Sequence, residues 1–236
     1  MKRNKKYRIK TVFFAFALAA ATVISYAPVY ATEDTGVSDS TTTPQVSTSQ
    51  MTEGLQITGS NLTGYNGTSA AVTIPNTVTT ISDGAFRNNT TITSVTIPSS
   101  VLNIGSEAFA GCTHLASIIV PGSVVNFGTN VFSGCSALSS ATIQAPLSSI
   151  PTGTFRDCAT LTSINVASGL TAIADEAFYG CSSLKSMVIP EGVTEVGARA
   201  FANCASLSGV SIPSTLTSIA SSAFSNDISL DTIDRK

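Results

Sequence analysis

Tryptophan is absent from this 236-residue chain, histidine occurs once, and charged residues make up only 11% of it. A single histidine, His114, leaves no pair of imidazoles for a metal and no partner-held base for a nucleophile. Basic charge is scarcer than the formal net of −2 suggests, because Lys2, Arg3, Lys5, Lys6, Arg8 and Lys10 all fall in the first ten positions. The remainder carries 6 basic against 14 acidic residues, net −8. So acidic a body has no electrostatic footprint for nucleic acid or for an anionic membrane surface. Long apolar runs are missing too, apart from one near the start. Ser, Thr and Gly are plentiful instead, which suits a shallow hydroxyl-rich β surface better than a deep cleft.

The one apolar run, Thr11 to Ala27, follows the basic start and reads as an export signal. Two small-x-small sites could be cut. Ser25-Tyr26-Ala27 is followed by Pro28, a poor residue after a scissile bond, so cleavage after Ala31 is expected and residues 1–31 form the signal peptide. An uncleaved anchor is the alternative, since residues 11–31 are uncharged and long enough to span a bilayer. Residues 32–50 hold almost no large apolar side chain and cannot offset the entropy of ordering, so a disordered linker is expected.

From there on the chain repeats. Phe86, Phe109, Phe132, Phe155, Phe178, Phe201 and Phe224 are each 23 residues apart, and Cys112, Cys135, Cys158, Cys181 and Cys204 keep the same step. No insertion breaks the register, so each unit is one turn of a coil stacked on the next. Val95-Thr96-Ile97-Pro98 recurs as Ile118-Ile119-Val120-Pro121, Met187-Val188-Ile189-Pro190 and Val210-Ser211-Ile212-Pro213. Strand side chains alternate, so the outer two members face inward, the middle one faces out, and Pro ends the strand. Gln144 and Ala167 stand where Pro is usual and read as tolerated edge changes.

An inward pair at i and i+3 follows, as in Val101/Ile104 and Val193/Val196. Next comes a column of Asp83, Ser106, Thr129, Thr152, Asp175, Ala198 and Ser221, almost all helix N-cap types. Ala-Phe follows, then Asn88, Gly111, Gly134, Asp157, Gly180, Asn203 and Asn226, residues that tolerate a left-handed backbone and end helices. A strand, a loop, one helical turn and a return leg are therefore expected in every unit.

The run Leu115-Ala-Ser-Ile118-Ile-Val120 and the fuller unit Ile189–Pro213 closely resemble the BspA-like leucine-rich-repeat surface proteins, over about residues 72–233. The resemblance implies an α/β solenoid: a right-handed coil with one parallel β-sheet, short helical turns on the outer wall, and seven repeats behind an N-terminal β cap. The cap is placed at residues 51–71, with Asn66-Gly67 as a favoured hairpin turn, and the solenoid at 72–236. The resemblance also implies adhesion to host matrix proteins or other cells, while the signal segment points to a secreted or cell-surface protein and the lack of a catalytic constellation to a non-enzymatic one.

Three features could carry chemistry. The five cysteines follow the repeat's own step and number five, so a buried ladder of free thiols is expected rather than disulfides or a zinc site. His114 takes an outward position with no partner constellation. Asp175, Glu176, Glu191 and Glu195 read as a solvated acidic edge, not as the opposed carboxylates of a glycosidase.

What remains is the outward face of the sheet: Ser94, Ser117, Ser140, Ser163 and Ser186 in one column, Thr96, Ile119, Thr142, Asn165, Val188 and Ser211 in the next. They would form an uncharged strip about 34 Å long at ~4.8 Å per turn, fit to hold a protein or glycan ligand. No cofactor, metal or nucleic acid is expected, nor any membrane contact once the signal is removed. The same strip also suits a structural spacer or envelope component with no specific ligand, whereas a secreted hydrolase would need a catalytic constellation that the sequence does not show.

Overall fold

The computed structural model describes residues 53–235. The expected signal peptide with its cut after Ala31, the linker at 32–50 and the first two cap positions lie outside the described residues. The chain opens with an antiparallel hairpin, β1 (Leu55–Thr58) and β2 (Asn61–Tyr65). Thr58 lies opposite Asn61, so Gly59-Ser60 is the connection and not Asn66-Gly67 as the dipeptide suggested. Gly59 supplies the positive φ of 62° that a primed two-residue turn needs at its first central position. Asn66 instead follows β2 and donates its amide to the Gly54 carbonyl (3.0 Å), closing the open end of the hairpin.

Fifteen strands then alternate between two walls. The first wall carries β3 (Ala71–Thr73), β5 (Ser94–Thr96), β7 (Ser117–Val120), β9 (Ser140–Ile143), β11 (Ser163–Val166), β13 (Ser186–Val188), β15 (Gly209–Ile212) and β17 (Thr232–Arg235). The second carries β4 (Thr80–Ile81), β6 (Asn103–Ile104), β8 (Asn126–Phe127), β10 (Ser149–Ile150), β12 (Ala172–Ile173), β14 (Glu195–Val196) and β16 (Ser218–Ile219). Pairing between turns is parallel and keeps the 23-residue step, as in Ser140↔Ser163 and Ile81↔Ile104. The fold is a parallel β-solenoid of eight turns, capped by β1 and by β2, which pairs in parallel with β4.

The third side was expected to be helical, and no helix occurs among the described residues. The reason is two left-handed residues per unit rather than one. Asn88, Gly111, Gly134, Asp157, Gly180, Asn203 and Asn226 all have positive φ, and so do Gly84, Glu107, Asn130, Gly153, Glu176, Arg199 and Ser222, four positions earlier. A stretch bounded by left-handed residues at both ends cannot extend a right-handed helix. Its amides alternate instead. Ala85 and Arg87 donate back to Ser82 (3.2 Å) and Gly84 (2.9 Å), while Phe86 and Asn88 donate across to Ala108 and Ala110 of the next turn (both 2.7 Å). The N-cap-like column serves this stacking: Asp83 Oδ1 accepts the Ser106 amide at 2.7 Å, and Asp175 Oδ1 accepts that of Ala198 at 2.6 Å.

One core runs the length of the coil. Phe86, Phe109, Phe132, Phe155, Phe178 and Phe201 are at most 1% exposed and stack ring on ring with half-buried Phe224, centroids 5.0–5.6 Å apart. Each buried ring contributes about 1.5–3 kcal/mol through burial, and the stacking adds roughly 0.5–1.5 kcal/mol per pair. The inward columns Val95/Ile97, Ile118/Val120 and Val101/Ile104 pack against this column of rings.

The single sheet expected from sequence is not observed. The first wall divides into β3-β5, β7-β9-β11 and β13-β15-β17, and the second into β1-β2-β4-β6-β8 and β10-β12-β14-β16. Gln144 and Ala167 matter here. Their amides donate to Val120 and Ile143 of the preceding turn (both 2.9 Å), bonds that Pro121 and Pro190 cannot make. The two departures from Pro thus add one bond to each of the β7-β9 and β9-β11 pairings, whereas β3-β5 and β13-β15 pair without it past Pro98 and Pro213.

Candidate ligand-binding face

The strip lies on the first wall, but in three pieces. Ser117, Ser140 and Ser163 stand side by side on β7-β9-β11, as do Ile119, Thr142 and Asn165. Ser94 and Thr96 belong to the short β3-β5 sheet, and Ser186, Val188 and Ser211 to β13-β15-β17. Ser140, Thr142 and Ser211 are half-buried and the other eight are exposed. The two large apolar members, Ile119 at 58% and Val188 at 57% exposure, project from the wall.

The hydroxyls of this wall fall into two groups. One column earlier, Thr93, Ser139, Thr162 and Ser208 donate their hydroxyls at 3.1–3.2 Å to carbonyls of the preceding turn, namely Ala70, Ala116, Ser139 and Lys185. These are structural, and the sequence reading missed them because Ala116 and Lys185 interrupt the column. None of the eleven strip side chains makes a hydrogen bond among the described residues. The strip therefore offers unspent donors and acceptors, with two apolar side chains among them.

The cysteines are free and fully buried. Each thiol donates to the Phe carbonyl 26 residues earlier: Cys112 to Phe86, Cys135 to Phe109 and Cys158 to Phe132 (all 3.1 Å), Cys181 to Phe155 and Cys204 to Phe178 (both 3.2 Å). Burial raises the Cys158 and Cys181 thiols and pushes Cys204 up to about 12, while a hydrogen bond with Cys112, then burial, raises Cys135. The thiolate is the reactive form, so these groups are inert at neutral pH. At the two ends other residues take the cysteine's place. Asn89 Oδ1 accepts the Thr91 and Ile92 amides (both 2.9 Å). Asp227 Oδ1 accepts that of Cys204 (2.8 Å), while its buried Oδ2 meets no donor, and burial pushes the carboxyl up to about 6.

His114 is exposed, with Nδ1 3.3 Å from the Thr113 hydroxyl. The acidic edge is less acidic than its sequence: Glu176 is held between Arg156 and Arg199, and Arg156 also lies 4.8 Å above the Tyr179 ring. Glu107 pairs with Arg87 at 2.6 Å. Among the described residues no helix is long and apolar enough to cross a membrane.

No curated protein matches the chain. Solved structures do. A leucine-rich repeat protein from Eubacterium ventriosum is 29% identical, with a TM-score of 0.67, over 71% of this chain and 46% of its own. One from Bacteroides ovatus is 26% identical, with a TM-score of 0.59, over 70% of this chain and 48% of its own. The chain thus spans about half the length of these relatives. The BspA-type leucine-rich repeat region matches residues 63–185 and 148–236, in six copies, nearly the whole of the solenoid built from Phe, Cys and paired left-handed residues. By fold, by period and by this match, the chain belongs to the BspA-type leucine-rich-repeat family.

Proposed function

We propose that the chain is a binding module of an exported, surface-associated protein, and that it holds a protein or glycan ligand on its first wall rather than catalysing a reaction. One observation carries this reading. Eight of the eleven strip side chains are exposed and three half-buried, and all are free of internal hydrogen bonds among the described residues, whereas the neighbouring hydroxyl column is tied into the fold. Extended surfaces of this kind are where solenoids commonly bind. The basic, then apolar, then small-residue start of the chain supports export, and the family supports a general interaction role. Adhesion to host matrix or to other cells is the specific form proposed.

The test is a binding screen of the protein from Thr32 onward against immobilised matrix proteins and glycans, repeated with Thr142→Lys/Asn165→Lys. Lost binding with unchanged thermal unfolding supports the first wall as the site. Retention of every ligand by the double variant defeats it, and a screen without any ligand favours a spacer built only to hold other parts apart.

A further inference from the structure

The second wall parts between β8 and β10, and its cause can be read in the sequence. At the other junctions one amide past the strand donates to the preceding turn: Gly105 to Ile81 (2.8 Å), Gly128 to Ile104 (2.9 Å), Ala174 to Ile150 (3.0 Å) and Gly197 to Ile173 (2.8 Å). In the fourth unit that residue is Pro151, which has no amide to give. Pro146 replaces a second donor, since Ser100, Ser123 and Thr215 at its position donate hydroxyls to the Val78, Val101 and Val193 carbonyls. The Val125 carbonyl accepts no backbone bond from Ser148 or Ser149, although Leu102 at the equivalent place accepts from Val125 (2.9 Å).

No Cα of β8 comes within 8 Å of one in β10, and a cleft of about 610 Å³ extends over the second wall from β4 and β6 across β8 to the gap, lined by Ile81, Ile104, Asn126, Phe127, Leu147 and Ser149 among others. Adjacent ladder strands lie ~4.8 Å apart, so β8 and β10 are too far apart to pair with each other directly. The polar side chains are aligned as well. Asn126 Nδ2 donates to Asn103 Oδ1 (2.6 Å) and Asn103 Nδ2 to Thr80 Oγ1 (3.1 Å), so both Nδ2 groups point away from the gap, and Asn126 Oδ1 accepts no hydrogen bond among the described residues.

We propose that this cleft takes an extended peptide as an inserted strand between β8 and β10, one apolar side chain entering between Phe127 and Leu147. Two uncharged, unpaired strand edges that face each other across the gap are matched by a peptide backbone, which offers donors and acceptors along both of its sides. The site is separate from the first-wall strip and does not depend on it.

The probe is a fluorescein-labelled Val-Leu-Asn-Ile-Gly-Ser peptide, the sequence of the chain's own residues 101–106, titrated against the full chain by anisotropy and by amide NMR shifts. Saturable binding that moves the Ser148 and Ser149 amides is expected. Methylation of alternate peptide nitrogens should weaken it at least about tenfold, through lost backbone hydrogen bonds. Pro146→Ser/Pro151→Gly restores residue types found at these positions in other units and should close the gap, with a similar loss and no drop in melting temperature. Thr142→Lys/Asn165→Lys should leave peptide binding unchanged. No peptide binding, equal binding by the methylated peptide or by the proline double variant, or displacement of the peptide by oligosaccharides alone would each overturn the proposal.

Discussion

The turn wall and the strand walls are made by the same 23-residue unit, yet they differ in continuity. Along the turn wall, backbone bonds to the next turn run without a gap from Gly84–Ser106 to Asn203–Ser225, over an unbroken column of rings and thiols. Along the strand walls the ladder breaks three times, between β5 and β7, β8 and β10, and β11 and β13. The turn wall holds because its donors are amides at positions where Pro never occurs. On the second wall Pro151 removes the amide that would join two turns. On the first wall β5-β7 and β11-β13 part while β3-β5 and β13-β15 pair past Pro98 and Pro213. One wall keeps the coil together, and the others are free to differ from turn to turn.

The comparison can be broken most severely in the ring column. Phe132→Ala, in its middle, should cost about 3–5 kcal/mol in denaturant unfolding. Phe224→Ala, half-buried at the end, should cost clearly less; equal costs would mean that the column is not what holds the coil.

Gln144→Pro should cut the bond to Val120 and weaken the pairing of β7 with β9 without dividing them, as at Pro98 and Pro213. The expected cost is about 1–3 kcal/mol, the penalty of a buried acceptor left unpaired. Faster amide exchange confined to those strands, with the turn wall unaffected, would sharpen the contrast. If exchange quickens on all three walls, the walls are not independent.

A smaller effect is expected at Asp227, where pH is the lever. Its carboxyl rises from an ordinary 3.8 to about 6 in the fold, so the folded state holds the proton more tightly than the unfolded one. The stabilisation is complete below about pH 4 and disappears as pH rises through 6. Since the residue is partly open to solvent, the amplitude should stay under about 1 kcal/mol. Asp227→Asn should raise the melting temperature at pH 7 and not at pH 4, because an amide can donate where the bare carboxylate oxygen cannot. Equal gains at both pH values would argue against the orphaned oxygen.

The smallest expected effect is Ser222→Gly. Ser222 is held at a φ of 60°; relief of a left-handed serine is worth about 1–2 kcal/mol, and glycine's greater freedom in the unfolded chain takes back about 0.4–1 kcal/mol of it, so a small net stabilisation is expected. A loss of stability would show that its side chain contributes more than its backbone strain costs.

Much of this was legible in the sequence. The phase of Phe, Cys and Val-x-Ile determined which side chains face inward, because a strict period leaves only one way to stack identical turns. The helical turn was misread for a specific reason. Asn88 and its equivalents announce a left-handed backbone by being only Gly, Asn or Asp, but the companion column also contains Glu107, Arg199 and Ser222, whose chemistry hides the same conformation. Cap-type residues such as Asp83 were assigned correctly as acceptors and to the wrong amides, since a sequence cannot say whether the nearest free N–H is along the chain or one turn away. The break between β8 and β10 follows from the missing donor of Pro151, and becomes visible only once the turns are aligned in space. The strip was found from alternation alone, whereas its division into three pieces was not.

Every bond between turns reaches only to the adjacent turn, and every turn enters and leaves at equivalent atoms. Removing or duplicating any 23 consecutive residues between Phe109 and Phe201 would leave the cut ends in register. The molecule is thus a ruler graduated in single turns, and its length can be reset by whole graduations of about 5 Å without redesigning either end.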